Sequence, residues 1–244
     1  MPENVLILGA TSDIGRAIAH RYARSGASLW LAARNETALK KEASDLEIRH
    51  DAEVKCFLFE ATDFRLHEEW VQALPTAPDV VVLAFGYLPV GTPSEISWDD
   101  YHESLQVNLV GAASILHRLI PMMTAQKRGT IIGISSVAGE RGRASNYPYG
   151  AAKAGFTALL SGIRNELSTH GIHVLTVKPG FVDTRMTAHM PLPAPLTTQP
   201  SDLAEAIFSA AKKKRHTLYY LRTWRLIMWI IRNIPERIFQ RLSL

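Results

Sequence analysis

The sequence predicts a single doubly wound α/β domain, a parallel sheet with helices on both faces, followed by a basic amphipathic tail. Three observations predict it. Short continuous apolar runs alternate with helical stretches along most of the chain, as repeated β-α units require. The first of these runs ends in a glycine turn that opens a helix. The 244 residues show no internal repeat, low-complexity tract or interdomain linker, so residues 1–221 read as one domain with a large core.

The first strand is Val5-Leu6-Ile7-Leu8, apolar throughout, as expected when both faces are buried. It runs into Gly9-Ala10-Thr11-Ser12-Asp13-Ile14-Gly15-Arg16. Ile14, Ala17, Ile18, Ala19 and Tyr22 then recur at helical spacing, and Gly26 closes the helix. Gly9 permits the tight turn, and Gly15 lets helix and strand approach closely. The helix N-terminus offers N–H groups and a positive dipole end to a pyrophosphate. A plain strand-to-helix turn is the bland alternative; the strand–turn–helix context favours a dinucleotide. Further strands are expected at Ser28–Ala32, Val54–Phe59, Val80–Leu83, Thr130–Ile134, His173–Val177 and Thr217–Leu221. Asn35–Ile48 and Trp98–Gln126 read as helices between them.

Tyr149-Gly150-Ala151-Ala152-Lys153 puts a phenol and an ammonium on one face of a helix. A neighbouring positive charge favours phenolate and draws a tyrosine below its usual pKa of about 10. Ser136, thirteen residues earlier, can hold a substrate oxygen. This is equipment for moving a proton on or off an alcohol or carbonyl. Alone, the spacing describes an ordinary surface pair; the upstream glycine turn gives it chemical meaning.

Cys56 is the only cysteine, which excludes a disulfide framework, and its apolar strand predicts a buried thiol. His20, His50, His67, His102 and His170 read as surface or helix-end residues, and no metal-site spacing occurs. The N-terminus enters a strand almost at once, so no signal peptide is expected and the chain reads as cytoplasmic.

In this order and spacing the motifs resemble the short-chain dehydrogenase/reductase family, single-domain type, over roughly residues 3–220. The resemblance implies a Rossmann-like fold and NAD(P)-dependent hydride transfer between a ketone and a secondary alcohol. It places the family's glycine motif on Gly9 to Gly15, including Thr11, Ser12, Asp13 and Ile14. Tyr149 becomes the acid/base, Ser136 the holder of the reacting oxygen, and Lys153 the residue that lowers the tyrosine pKa and binds the nicotinamide ribose. Asn108, in Val107-Asn108-Leu109-Val110-Gly111, would hold a water linking Lys153 to solvent; read alone, it is a helix asparagine bonded to backbone. Pro179, Gly180 and Val182 would line the nicotinamide pocket, and Thr184 would reach the carboxamide or a phosphate; read alone, Thr184 caps a helix beginning near Asp183. Ser135 competes with Ser136, and the spacing to Tyr149 favours Ser136.

Three positions depart from the family. Asp13 stands where its second glycine usually falls, and is expected to point outward or to cap a helix starting at Ile14. Leu8 replaces a threonine. Leu83-Ala84-Phe85-Gly86 replaces Asn-Asn-Ala-Gly, so only Gly86 survives. At the end of the second strand, Ala33 occupies the place of a ribose-binding carboxylate, and Arg34 follows it. A guanidinium suits a 2′-phosphate, which favours NADP over NAD. The alternative is an Arg34 that is merely exposed, or that stacks on adenine and accepts either cofactor. Glu60, followed by Ala61, stands where the family often has an aspartate near the adenine amino group.

Residues 212–244 hold nine Lys or Arg against the single acid Glu236, a net +8 in a chain whose total is +4. The rest is therefore acidic, which argues against nucleic acid as a partner. Within residues 222–244, Leu226-Ile227-Met228-Trp229-Ile230-Ile231 is flanked by Arg225 and Arg232. Six apolar residues are too few to span a bilayer, which needs about 20. Asn233-Ile234-Pro235 breaks and restarts the helix, with Ile234, Ile238, Phe239 and Leu242 on one face. Such a segment suits the inner membrane interface; otherwise it packs on its own domain or a partner subunit. Its pattern resembles short-chain reductases of lipid-linked sugars, such as the reductase half of the decaprenylphosphoryl-ribose epimerase pair. That resemblance implies a polyprenyl-linked keto sugar, a partner oxidase that makes it, and residues 186–200 as the substrate rim. Against it stands a small carbonyl compound as substrate, or a non-catalytic dinucleotide sensor. Family members pair through the helices after strands four and five, so a homodimer or homotetramer is expected.

Overall fold

The computed structural model describes residues 2–91 and 94–242; Met1, Thr92, Pro93 and the end of the predicted tail, Ser243 and Leu244, lie outside the described residues. Seven strands form one sheet: β1 (Asn4–Leu8), β2 (Ser28–Ala33), β3 (Val54–Leu58), β4 (Val80–Leu83), β5 (Gly129–Ile134), β6 (Ile172–Lys178) and β9 (Thr217–Tyr219). Their order is β3-β2-β1-β4-β5-β6-β9, and every neighbouring pair is parallel. A separate two-stranded ribbon pairs β7 (Phe181–Val182) with β8 (Thr197–Thr198).

Alternation along each strand divides the core between the two faces. Val5 and Ile7 of β1 face helices α1 (Asp13–Ala23), α2 (Glu36–His50) and α7 (Pro200–Lys212) through Ile18, Leu39 and Ile207. Leu6 and Leu8 face α3 (His67–Gln72), α5 (Ala112–Gln126) and α6 (Tyr147–Leu167) through Val71, Ile115 and Phe156. Both faces of β1, β2 and β4 are covered, which is why they read as unbroken apolar runs. The strand order reverses between β1 and β4, so a crevice opens at their carboxyl ends, where α/β sheets bind ligands.

Three expectations are corrected. The single helix expected over Trp98–Gln126 is α4 (Trp98–Leu105), a π-helical turn at Gln106–Gly111, then α5. At Gly111 a Cβ would lie 2.4 Å from the Ala61 carbonyl, so only glycine fits there. Cys56 is exposed rather than buried, because β3 is the edge strand and its outer face meets solvent. His67 does stand at a helix end, the first residue of α3, but is buried rather than on the surface, with its ring bonded to Ser114 Oγ (2.9 Å) and the Glu60 carbonyl (3.0 Å).

The chain ends in α8 (Arg222–Asn233) and α9 (Glu236–Phe239). One side of this pair is integral to the protein. Trp224, Met228, Ile231 and Phe239 form a third apolar cluster with Val137 from the loop after β5. Arg141 fastens it: Nη1 donates to the Ile231 and Ile234 carbonyls at 2.6 Å each, and Nη2 meets Glu236 at 2.8 Å. The guanidinium also lies 3.7 Å over the Phe239 ring. The other side carries Leu226, Trp229 and Ile230 in solvent, Trp229 at 66% exposure. Ile238 and Leu242 are exposed as well, so the apolar residues of the last turn divide between the domain and solvent. Among the described residues no helix is long and apolar enough to cross a membrane.

Candidate active site

The crevice between β1 and β4 begins at Gly9. Its φ of +87° and the 2.4 Å that would separate a Cβ from the Phe85 nitrogen both require glycine. Ser12 caps α1: its Oγ accepts from Gly15 N at 3.0 Å and donates to the Gly9 carbonyl at 2.7 Å. At Gly15 a Cβ would come within 2.3 Å of the Gly9 carbonyl, so strand and helix touch there. A cleft of about 280 Å³ follows, lined by Gly9, Thr11, Ser12, Arg34, Glu60, Ala61 and Gly86 among others. Ile14 packs behind it against the core. The elements fit a dinucleotide: a glycine cradle that a Cβ would fill, and a capped helix N-terminus aimed at a pyrophosphate. Arg34 stands at the mouth, 69% exposed, with Nε 3.7 Å from Glu60 Oε2. Glu60 in turn accepts from Thr62 N and Oγ1 at 3.1 and 3.0 Å.

Asp13 does not cap the helix, which begins one residue earlier than expected and uses Ser12. It points outward to Arg185, accepting from that residue's backbone N (2.8 Å) and Nε (3.0 Å). Arg185 Nη2 also donates to the Thr11 carbonyl at 2.6 Å, and its side chain lines the cleft. Sequence reasoning missed Arg185. The only signal was the misplaced acid at 13, whose charge needs a partner.

Next to Gly86 of the cleft, α6 delivers Lys153 and, one turn earlier, Tyr149, and the loop after β5 delivers Ser136. Lys153 is buried, and Nζ donates to the Ile134 carbonyl at 3.0 Å. It lies 5.6 Å from the centre of the Tyr149 ring. Burial brings the Lys153 ammonium down to about 8 and pushes the Tyr149 phenol up to about 12. The hydrogen bond with Ser136 pulls the phenol the other way without overcoming burial. The expectation that Lys153 lowers the tyrosine pKa is therefore not met in the free protein: desolvation dominates, and the influence opposing it is the Ser136 hydrogen bond. Tyr149 is consequently a neutral phenol at neutral pH, the form that can donate a proton.

Ser136 Oγ also accepts from Ala138 N at 3.0 Å, which fixes it toward the site. Ser135 turns away, bonded to the Lys153 carbonyl (3.1 Å) and Thr157 Oγ1 (2.7 Å). Asn108 sits in the π-turn. Its Nδ2 donates to the Tyr87 and Ser104 carbonyls at 2.6 and 2.8 Å, and its Oδ1 accepts from Tyr87 N at 3.3 Å. Its amide thus bonds backbone, as the residue read alone suggests, and it fixes the loop beside Gly86. π-turns of this kind occur often at functional sites.

The turn after β6 closes the site. The Pro179 carbonyl accepts from Val137 N at 3.1 Å. Gly180 lies directly under Trp224 of α8, whose indole nitrogen would come 1.9 Å from a Cβ. Val182 is buried, and Thr184 caps a short 3-10 turn at Arg185–Thr187. Beyond Tyr149 opens a second, mainly apolar cavity of about 500 Å³, whose walls include Ser136, Leu88, Phe181, Met186, Met190 and Trp224.

The short chain dehydrogenase family matches residues 3–193. An uncharacterized oxidoreductase of Mycobacterium tuberculosis is 34% identical over 98% of this chain and 96% of its own length. Another from Streptomyces coelicolor is 34% identical over 99% and 96%. Among solved structures, the alcohol dehydrogenase of Thermococcus sibiricus complexed with 5-hydroxy-NADP superposes with a TM-score of 0.79 at 26% identity, covering 90% of this chain and 96% of that one. An NAD(P)-dependent gluconate 5-dehydrogenase from Beutenbergia cavernae, described as putative and with bound NADP, gives 0.81 at 26%, covering 92% and 97%. With the crevice, the glycine turn and the Ser136–Tyr149–Lys153 cluster in place, the chain belongs to the short-chain dehydrogenase family of oxidoreductases.

Proposed function

We propose that the protein is an NADP-dependent ketoreductase whose substrate is an amphiphile, a keto sugar carried on a lipid. The observation that carries this reading is the juxtaposition itself: Ser136 and Tyr149 line a large, mainly apolar cavity, and Lys153 Nζ lies 3.7 Å from where a Cβ would stand on Gly86 in the wall of the neighbouring cleft. The dinucleotide supplies the hydride when bound. Tyr149 donates its phenolic proton to the carbonyl oxygen. Ser136 hydrogen-bonds that oxygen as negative charge develops on it. Lys153, still protonated at neutral pH, holds the ribose and steadies the charge left on Tyr149. Gly9, Ser12, Gly15 and the α1 N-terminus hold the pyrophosphate, Pro179, Gly180 and Val182 flank the nicotinamide, and Arg34 reads the 2′-phosphate. The NADP ligands of the Thermococcus and Beutenbergia neighbours support that preference. NADPH consumption on addition of a lipid-linked ketone tests the reading; no consumption by the intact chain would end it.

The tail supports a membrane-held substrate. Leu226, Trp229 and Ile230 are exposed beside Arg222, Arg225 and Arg232, while the opposite face of α8 packs near the active site. The packed face favours the second reading, an intraprotein tail and a small free ketone. Flotation with phosphatidylcholine vesicles containing phosphatidylglycerol separates the two. The full chain is expected to float at low salt, and Leu226→Ser/Trp229→Ser to stay behind. Wild type that remains unbound at low salt removes the membrane contact. The substrate's keto group implies a preceding oxidation, the task of a partner oxidase. Self-association through α4, α5 and α6 is the arrangement proposed for the subunits.

A further inference from the structure

Two polar atoms in the large cavity have no partner among the described residues. Arg143 Nε and Asn146 Oδ1 are both shielded from solvent and make no hydrogen bond there, although both residues line the cavity. They lie in the loop between Ser136 and Tyr149, on the path that joins the two catalytic side chains. Buried polar groups are otherwise paired in folded proteins, because an unmade bond costs stability. The Arg143 guanidinium is held below its usual range by burial alone, with no acid offsetting it. Other cations near this loop are engaged: Arg141 by Glu236 and the α8 carbonyls, Lys178 by Glu140.

We propose that Arg143 is the anion subsite of the substrate pocket and binds a phosphate group on the substrate, with Asn146 accepting from a neighbouring hydroxyl. This rests on the ketoreductase reading of the cavity and adds the substrate's charge to it. The cavity then offers three kinds of contact. Ser136 and Tyr149 take a carbonyl oxygen, Arg143 and Asn146 take a phosphate and a hydroxyl, and the apolar walls around Phe181, Met190 and Trp224 take a hydrocarbon chain. A neutral ketone leaves Arg143 unpaired and forfeits the contact. A phosphorylated sugar on an isoprenoid satisfies all three. Arginine suits the task because its planar fork meets two phosphate oxygens at once.

Binding tests this without any hydride transfer, so the outcome is separate from that of the catalytic reading. Farnesyl phosphate, farnesol and inorganic phosphate are titrated calorimetrically into the full chain and into Arg143→Met and Arg143→Lys. Farnesyl phosphate is expected to bind wild type about 10- to 100-fold more tightly than farnesol. Arg143→Met removes that preference and leaves farnesol affinity unchanged; Arg143→Lys restores part of it. Equal binding of the two lipids to wild type, or a preference that survives in Arg143→Met, overturns the assignment. Inorganic phosphate that binds as tightly as farnesyl phosphate would make this a free-phosphate site and overturns the lipid-phosphate assignment. Thermal melting supplies a second readout. Arg143→Met is expected to melt at or above wild type, because a half-buried guanidinium with an unpaired Nε is removed; a lower melting temperature marks Arg143 as a structural residue and also overturns the proposal.

Discussion

Tyr149→Phe loses carbonyl reduction by roughly 10²- to 10⁴-fold in kcat, while its affinity for NADPH stays that of wild type. The substitution removes one oxygen from a ring held in place by α6, and the cleft proposed for the dinucleotide does not include Tyr149 in its walls. The phenol faces the apolar cavity beside Ser136 and is neutral at neutral pH, so it has a proton to give there. Ser136 has a hydroxyl of far higher pKa, and Lys153 Nζ is turned to the Ile134 carbonyl. Rapid-mixing kinetics with NADPH and a ketone, beside calorimetric NADPH binding, checks the split. Wild-type turnover in Tyr149→Phe would mean that a different group protonates the product.

Trp224→Ala lowers the melting temperature by on the order of 10 °C, from a loss of about 3–5 kcal/mol for a buried tryptophan. Trp224 is 5% exposed. Its Nε1 donates to the Leu196 carbonyl at 3.1 Å, and its ring meets Phe181 edge-on at 5.5 Å. It stacks on Gly180 at the turn that flanks the proposed nicotinamide site, so the cavity wall opens as the cluster around Val137 and Met228 loosens. KM for an amphiphilic substrate is expected to rise with the fall in stability. Calorimetric or fluorescence melting checks the first effect; an unchanged melting temperature would show that α8 adds nothing to the domain. For the same reason, deleting residues 222–244 damages the site as well as the surface, and point changes at Leu226 and Trp229 are the cleaner probe of membrane contact.

The sheet was legible because its strands are buried on both faces and betray themselves as unbroken apolar runs. The glycine turn was legible because close approach of backbone to backbone admits no other residue at 9 or 15. Ser136, Tyr149 and Lys153 followed from spacing along one helix and one loop. What the sequence hid depends on contacts distant along the chain. Cys56 looked buried because strand order, which makes β3 an edge, is not written in any single strand. His67 takes a partner 47 residues away, and Asp13 one 172 residues away. The π-turn at 106–111 arises where Gly111 meets the Ala61 carbonyl, a tertiary contact that helical periodicity does not encode. The tyrosine pKa shows the same limit: sequence places a charge beside the phenol, while only the fold reveals that Lys153 is buried and that desolvation governs the phenol. The unpaired nitrogen of Arg143 is likewise visible only once its surroundings are.

The most direct test of the central claim follows a labelled hydride. NADPH deuterated at the transferring position of the nicotinamide is mixed with the enzyme and a 2-keto sugar on a polyprenyl phosphate, beside the same keto sugar phosphate lacking the polyprenyl chain. Mass spectrometry then reads the products. The expected result is one deuterium on the new carbinol carbon of the lipid-linked sugar, formed with a higher kcat/KM than the product of the untethered one. Absence of deuterium from both products would contradict the ketoreductase reading, and equal efficiency on the two would contradict the lipid-linked substrate.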